Sequence, residues 1–221
     1  MSEMRDVMHQ EPLLCFEGLT RRFDDFVLFE RLGLRAGTGC FALRDEGGGG
    51  KTTLLGMLAG TVEAGGGKVW IDGHSMQSAP EAAKAALAVV PFDCLTEPSQ
   101  TGRGFLEQRA EQRRTTVSAE VLDLAERFSL MPHMEKRFDQ MSTGTRRKFY
   151  LTATLFGSPR VILADEPSGG LDGPSRAVLI DLFKTFGKDR CVLFSTHDDE
   201  LAEGCQATTL GFPDLTNFRA D

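Results

Sequence analysis

The sequence predicts an α/β fold, with a largely parallel sheet covered by helices on both faces. Three observations carry that prediction. Short apolar runs at 40–43, 87–90, 161–164 and 191–195 are separated by segments of helical pattern, the order that builds parallel strands with crossover helices. A cluster of glycines at 47–50 stands between one such run and a helical segment, where backbone N–H groups can be aimed at an anion. The run at 161–164 stops on two acids, Asp165-Glu166, at the strand end that faces ligand in sheets of this kind.

Each element follows in chain order. Residues 13–19 and 26–29 read as strands, rich in the apolar residues that suit a pleated surface. Residues 40–43 form a short buried strand, and 52–59 a helix with leucines at 54, 55 and 58, ended by Gly60. Residues 68–71 alternate and stop at the turn pair Asp72-Gly73. A strand at 87–90 ends at Pro91. From about 92 to 140 charges are dense and the pattern is helical, with helices at 104–113 and 118–128 and Ser118 as an N-cap. This reads as a helical subdomain inserted between strands. A helix at 142–156, a strand at 161–164, a helix at 174–186, a strand at 191–195 and a short helix at 197–202 complete one domain spanning 1–221.

Composition bounds the function. With 221 residues the chain can bury one good core. Hydrophobic residues at 41% and charged residues at 26% suit a globular protein. The opening MSEMRDVMHQ has no apolar run, so no secretory leader is expected. No stretch approaches the roughly 18 apolar residues of a membrane span, so any membrane role requires another chain to do the spanning. A net charge of −7 argues against a nucleic-acid partner. Cys15, Cys40, Cys94, Cys191 and Cys205 are odd in number and show no CxxC spacing. Reduced thiols in the cytoplasm, acting as small apolar side chains, are expected. The four histidines do not cluster at zinc-ligand spacing.

Gly47, Gly48, Gly49 and Gly50 followed by Lys51, Thr52 and Thr53 have the form of a phosphate loop. Glycine lets the backbone approach phosphate closely, and the helix that follows adds its positive end. Lys51 supplies a point charge for the β- and γ-phosphates, and Thr52 a hydroxyl for Mg²⁺. Asp45 stands where such loops begin with glycine, and Glu46 follows it; Arg44 is the neighbouring cation. Asp165 is placed to hold Mg²⁺, and Glu166 to polarise an attacking water. A third strand end carries Ser195-Thr196-His197, and His197 is a candidate γ-phosphate contact.

These segments, in this order, resemble the ATP-binding-cassette (ABC) family over nearly the whole chain. Met141-Ser142-Thr143-Gly144-Thr145 is similar to that family's signature, usually LSGGQ, and Ser142 lies 23 residues before Asp165. Gly170-Leu171-Asp172 matches the D-loop, His197 the switch histidine, and Phe23 the aromatic residue that stacks on adenine. Thr101-Gly102-Arg103-Gly104-Phe105-Leu106 resembles a TGR-x-FL stretch of bacterial cassettes that partner ABC-2-type exporter permeases. The resemblance implies a P-loop NTPase core with an antiparallel β subdomain. It also implies ATP and Mg²⁺ as ligands, head-to-tail dimerisation with an identical or related cassette, and a permease that holds the chain at the inner face of the membrane. Ser142, Gly144 and Asp172 would then serve the nucleotide across the dimer interface. The family's glutamine near position 92 is replaced by Phe92, and Asp93 beside it is the candidate for the metal-side role. Asp45 and Phe92 support an alternative, a weak or silent cassette acting as a regulatory module. A soluble cassette acting on ribosomes or DNA is opposed by the acidic charge and by the single cassette.

Overall fold

The computed structural model describes residues 11–23, 26–45 and 50–216. Two sheets organise them. Strands β1 (Leu14–Phe23), β2 (Phe26–Ala36), β4 (Gly66–Ile71) and β5 (His74–Ser75) form an antiparallel sheet in the order β2-β1-β4-β5. Strands β3 (Gly39–Leu43), β6 (Leu87–Val90), β7 (Val161–Asp165), β8 (Cys191–Ser195) and β9 (Thr208–Leu210) form a parallel sheet in the order β6-β7-β8-β3-β9.

Every residue of β7 and β8 is buried. That is why these strands read as continuous apolar runs rather than alternating ones. Successive side chains still point to opposite faces. Ile162 and Ala164 pack into one core with Phe194 and the helices α3 (Gly102–Gln112), α4 (Ala119–Arg127), α5 (Thr143–Ala153) and α6 (Gly173–Phe186). Val161 and Leu163 pack into a second core with α1 (Lys51–Leu58) and the inner face of the antiparallel sheet, including Leu14, Phe16, Leu19 and Leu32. The parallel sheet is thus the partition between two cores.

Several elements depart from expectation. β1 and β2 run past the predicted 13–19 and 26–29, because the inward positions continue to Leu32 and Ala36. The charged residues that obscured this lie on the outer face, where Arg35 pairs with Glu17 at 3.0 Å and Arg22 pairs with Glu30. α3 starts at Gly102, two residues early, since Thr101 caps it by accepting from the Gly104 N–H. Ser118 caps α4 as expected, accepting from the Val121 N–H. Helix α7 (Asp199–Gly204) begins after His197, because Asp198 is its cap. Helices α2 (Pro80–Ala85) and α8 (Phe212–Thr216) and strands β5 and β9 were not predicted. All are short, and only the larger fold supplies their packing. All five cysteines are free and buried. Among the described residues no helix is long and apolar enough to cross a membrane.

Candidate functional site

Strand register assembles the site. Leu43 of β3 and Asp165 of β7 both pair with Ser195 of β8, so three strands end in one row. The segments leaving that row therefore meet at the C-terminal edge of the sheet. β3 leads toward the glycine cluster. Gly47, Gly48 and Gly49 lie outside the described residues, and the chain is next described at Gly50. Gly50 has φ 94°, and a Cβ there would stand 2.8 Å from Leu28 Cδ2. Glycine is required for both the left-handed backbone and the contact. α1 starts at once with Lys51. Its first α-helical bond runs from the Leu54 N–H to the Gly50 carbonyl, so the N–H groups of residues 51–53 have no partner within the helix.

An open cleft of about 560 Å³ lies at this edge. It is lined by Gly50, Lys51, Thr52, Thr53, Phe92, Asp165, Glu166, Gly169 and His197. Lys51 is 8% exposed, and its ammonium donates to the Asp45 carbonyl at 3.2 Å and lies 3.2 Å from His197 Nε2. An ammonium has no lone pair, so His197 Nε2 is the acceptor there. The same nitrogen is 3.6 Å from Glu166 Oε1. His197 Nε2 therefore sits between a donor, the Lys51 ammonium, and an acceptor, the Glu166 carboxylate.

The two acids are held by one hydroxyl. Ser195 Oγ donates to Asp165 Oδ1 and accepts from the Glu166 N–H at 2.9 Å. Glu166 has φ 45°, unusual for a residue other than glycine. This is a strained backbone of the kind that collects at functional sites. Among the described residues Glu166 Oε1 is buried with no hydrogen-bond donor. Glu166 itself lines the cleft, so its carboxylate has an unused acceptor beside the cleft wall. Asp165 and Thr52 offer oxygen donors on the same wall, the set a hard divalent cation prefers. No cluster of three or more His, Cys, Asp or Glu side chains among the described residues forms a complete metal cage. A cation here would take the rest of its shell from phosphate and water, as Mg²⁺ commonly does.

Other predicted positions lie elsewhere. Asp93 does not line the cleft; its Oδ1 accepts from the Leu95 N–H at 3.4 Å. Phe92 does line it, with 56% of its surface exposed. Arg44 pairs with Asp199 of α7. Phe23 ends β1, and its side chain lies outside the described residues. Ser142 caps α5 through the Thr145 N–H at 3.1 Å and is itself exposed. Gly144 packs so tightly that a Cβ would sit 2.2 Å from the Gly170 carbonyl oxygen. Asp172 caps α6, accepting from the Ser175 N–H at 2.9 Å. The Ser175 hydrogen bonds, aided by the nearby Lys148 ammonium, hold the Asp172 carboxyl below the usual aspartate value. Sequence reasoning overlooked Ser195 as an organiser of the acids. Its only signal was a polar side chain ending an apolar strand.

Comparison with known proteins places this architecture. The family model described as "ABC transporter" matches residues 36–169. The Nod factor export ATP-binding protein I of Burkholderia pseudomallei is 30% identical over 194 residues, covering 85% of this chain and 64% of that protein. The ABC transporter ATP-binding protein NatA of Bacillus subtilis is 28% identical over 159 residues, covering 69% and 64%. The chain thus spans less than two thirds of the length of these curated relatives. Among solved structures, an ATP-binding subunit of an ABC transporter superposes with a TM-score of 0.81 at 21% identity, covering 90% of this chain and 85% of that one. A dimeric ATP-binding cassette in a post-hydrolysis state, bound to ADP and Pi, gives a TM-score of 0.77 at 17% identity, covering 90% and 94%.

Proposed function

Because the chain belongs to the ABC transporter family, we propose that it is the ATP-binding and ATP-hydrolysing subunit of a membrane exporter. The carrying observation is the convergence of Lys51, Asp165, Glu166 and His197 on one cleft at the N-terminus of α1. In this reading Lys51 and the free N–H groups of the first turn bind the β- and γ-phosphates, with Gly47, Gly48 and Gly49 completing the loop. Thr53 lies on the same wall. Phe23 stacks on the adenine ring. Thr52 and Asp165 hold Mg²⁺, whose contribution when bound is to neutralise charge on the phosphate oxygens. The Glu166 carboxylate orients the attacking water. His197, in the tautomer with its proton on Nε2, donates to the γ-phosphate.

At the N-terminus of α5, Ser142 is exposed, and neither Ser142 nor Gly144 lines the cleft among the described residues. In the proposed assembly this N-terminus closes on nucleotide held by a second cassette, with Asp172 at the same interface. Such a partner is a second copy or a related chain. The neighbouring fold of a dimeric cassette supports this arrangement. Permease subunits would carry the substrate and hold the chain at the inner face of the membrane. The name of the Burkholderia relative supports export as the direction.

The test is a nucleotide titration of the purified chain with and without Mg²⁺, read together with phosphate release. Glu166→Gln should lower turnover at least about a hundredfold, the scale of a lost general base, while ATP affinity stays unchanged. Hydrolysis that survives this change would remove Glu166 from its role. A wild-type chain that binds no ATP would overturn the whole reading. The alternative of a silent regulatory cassette draws on Phe92, an apolar side chain on the cleft wall. It requires the wild-type chain to bind ATP and release no phosphate.

A further inference from the structure

Arg147 lies in α5, five residues after Ser142, and is 3% exposed. A guanidinium so deeply buried normally faces a carboxylate. Here its hydrogen bonds go to backbone carbonyls of two distant segments. Nη2 donates to the Phe92 carbonyl at 2.6 Å, and Nη1 donates to the Gly169 carbonyl. Phe92 and Gly169 both line the nucleotide cleft. Among the described residues Nε is buried without a partner. The planar fork of arginine can reach two acceptors at once, which a lysine ammonium at the same site cannot reproduce in geometry.

Packing around the guanidinium is equally specific. A Cβ on Gly169 would stand 3.1 Å from Arg147 Nη1. Gly144, one turn earlier on the same helix, meets the Gly170 carbonyl with no room for a side chain. Tyr150, three residues after Arg147, donates its hydroxyl to the Leu95 carbonyl. Helix α5 therefore grips the 92–95 segment at two points and the 166–170 loop at two points.

We infer that Arg147 is a positioning residue that clamps the Phe92 and Gly169 walls of the cleft to α5, so that cleft and helix move as one body. This rests on the nucleotide reading above and extends it. The cleft walls serve the chain's own ATP, whereas the N-terminus of α5 serves ATP held by the partner cassette. The clamp makes one guanidinium the mechanical link between the two sites, and coupling of this kind needs an element that both sites bias.

Hydrogen–deuterium exchange on the nucleotide-free chain tests the clamp directly. Arg147→Lys and Arg147→Met should each speed exchange in residues 92–95 and 166–170 by about tenfold or more, the signature of local opening. Strand β8 should keep its wild-type protection. Unchanged exchange in both segments, or a uniform rise across the molecule, overturns the inference. If Arg147→Met does not fold, Arg147→Lys decides alone. A second readout is phosphate release against ATP concentration. Arg147→Lys should lower kcat about tenfold with ATP affinity within about twofold, the pattern of lost positioning rather than lost binding. Equal kcat would also overturn the inference. Absence of ATP binding by the wild-type chain would sink the nucleotide reading while the exchange result still judges the clamp.

Discussion

Ser195 shows how much one hydroxyl can decide. It is fully buried, and it touches both acids of the site at once. The left-handed backbone of Glu166 costs on the order of 1–3 kcal/mol, and the hydrogen bond from its N–H to Ser195 helps to hold it. Ser195→Ala should leave Asp165 Oδ1 without its donor in a dry site. The expected cost is about 1–3 kcal/mol of folding stability, measured by urea unfolding. In the proposed reading turnover should fall with it, while ATP affinity changes little, because Lys51 and the first turn of α1 are untouched. Stability equal to wild type would show that the hydroxyl contributes nothing to the acids. Lys51 was nominated from the sequence because the role proposed for it needs only the local order of glycine, lysine and threonine. The role of Ser195 was not, because its two partners lie 29 and 30 residues away along the chain.

Helix caps set the boundaries at the scale of the element, and sequence reasoning named only Ser118 among them. Thr101, Ser118, Ser142, Asp172 and Asp198 each accept a backbone N–H at the start of a helix. Asp172→Ala should lower stability by about 1 kcal/mol, the usual worth of such a cap, seen as a lower melting temperature at neutral pH. The pH dependence has a definite sign. The folded pKa of Asp172 is lowered, so its contribution is complete above the ordinary aspartate value. It is lost as pH falls through the lowered folded value. The gap between wild type and Asp172→Ala should therefore close in acid, and a gap that persists there would assign the loss to something other than the carboxylate. The same caps explain two boundaries. Asp198 places His197 in the loop before α7, and Thr101 starts α3 at Gly102. Each expected helix was right in place and shifted in its first turn, where local hydrogen bonding rather than hydrophobic period sets the end.

Across the whole molecule, the helices around α5 depend on an aromatic cluster. Phe105 is fully buried and lies 5.0 Å from the Phe138 ring, 4.8 Å from Tyr150 and 6.4 Å from Phe149. Gly102 belongs to this packing, since a Cβ there would stand 2.3 Å from Phe149 Cζ. Phe105→Ala should cost about 3–5 kcal/mol, a large share of the 5–15 kcal/mol typical of a domain. A urea midpoint within error of wild type would refute that weight. The stretch 101–106, noted in the sequence for its resemblance, thus proves to be cap, close approach and core. The sequence by itself determined the α/β class, the order of the major elements, the lysine after the glycine cluster and the acids at a strand end. All of these are written in local patterns of a few adjacent residues. Tertiary structure alone decided that Leu43, Asp165 and Ser195 share one row, that Phe92 walls the cleft and Asp93 does not, and that Arg147 grips two distant carbonyls. Such facts depend on strand register and helix packing, which bring together residues whose spacing along the chain carries no signal.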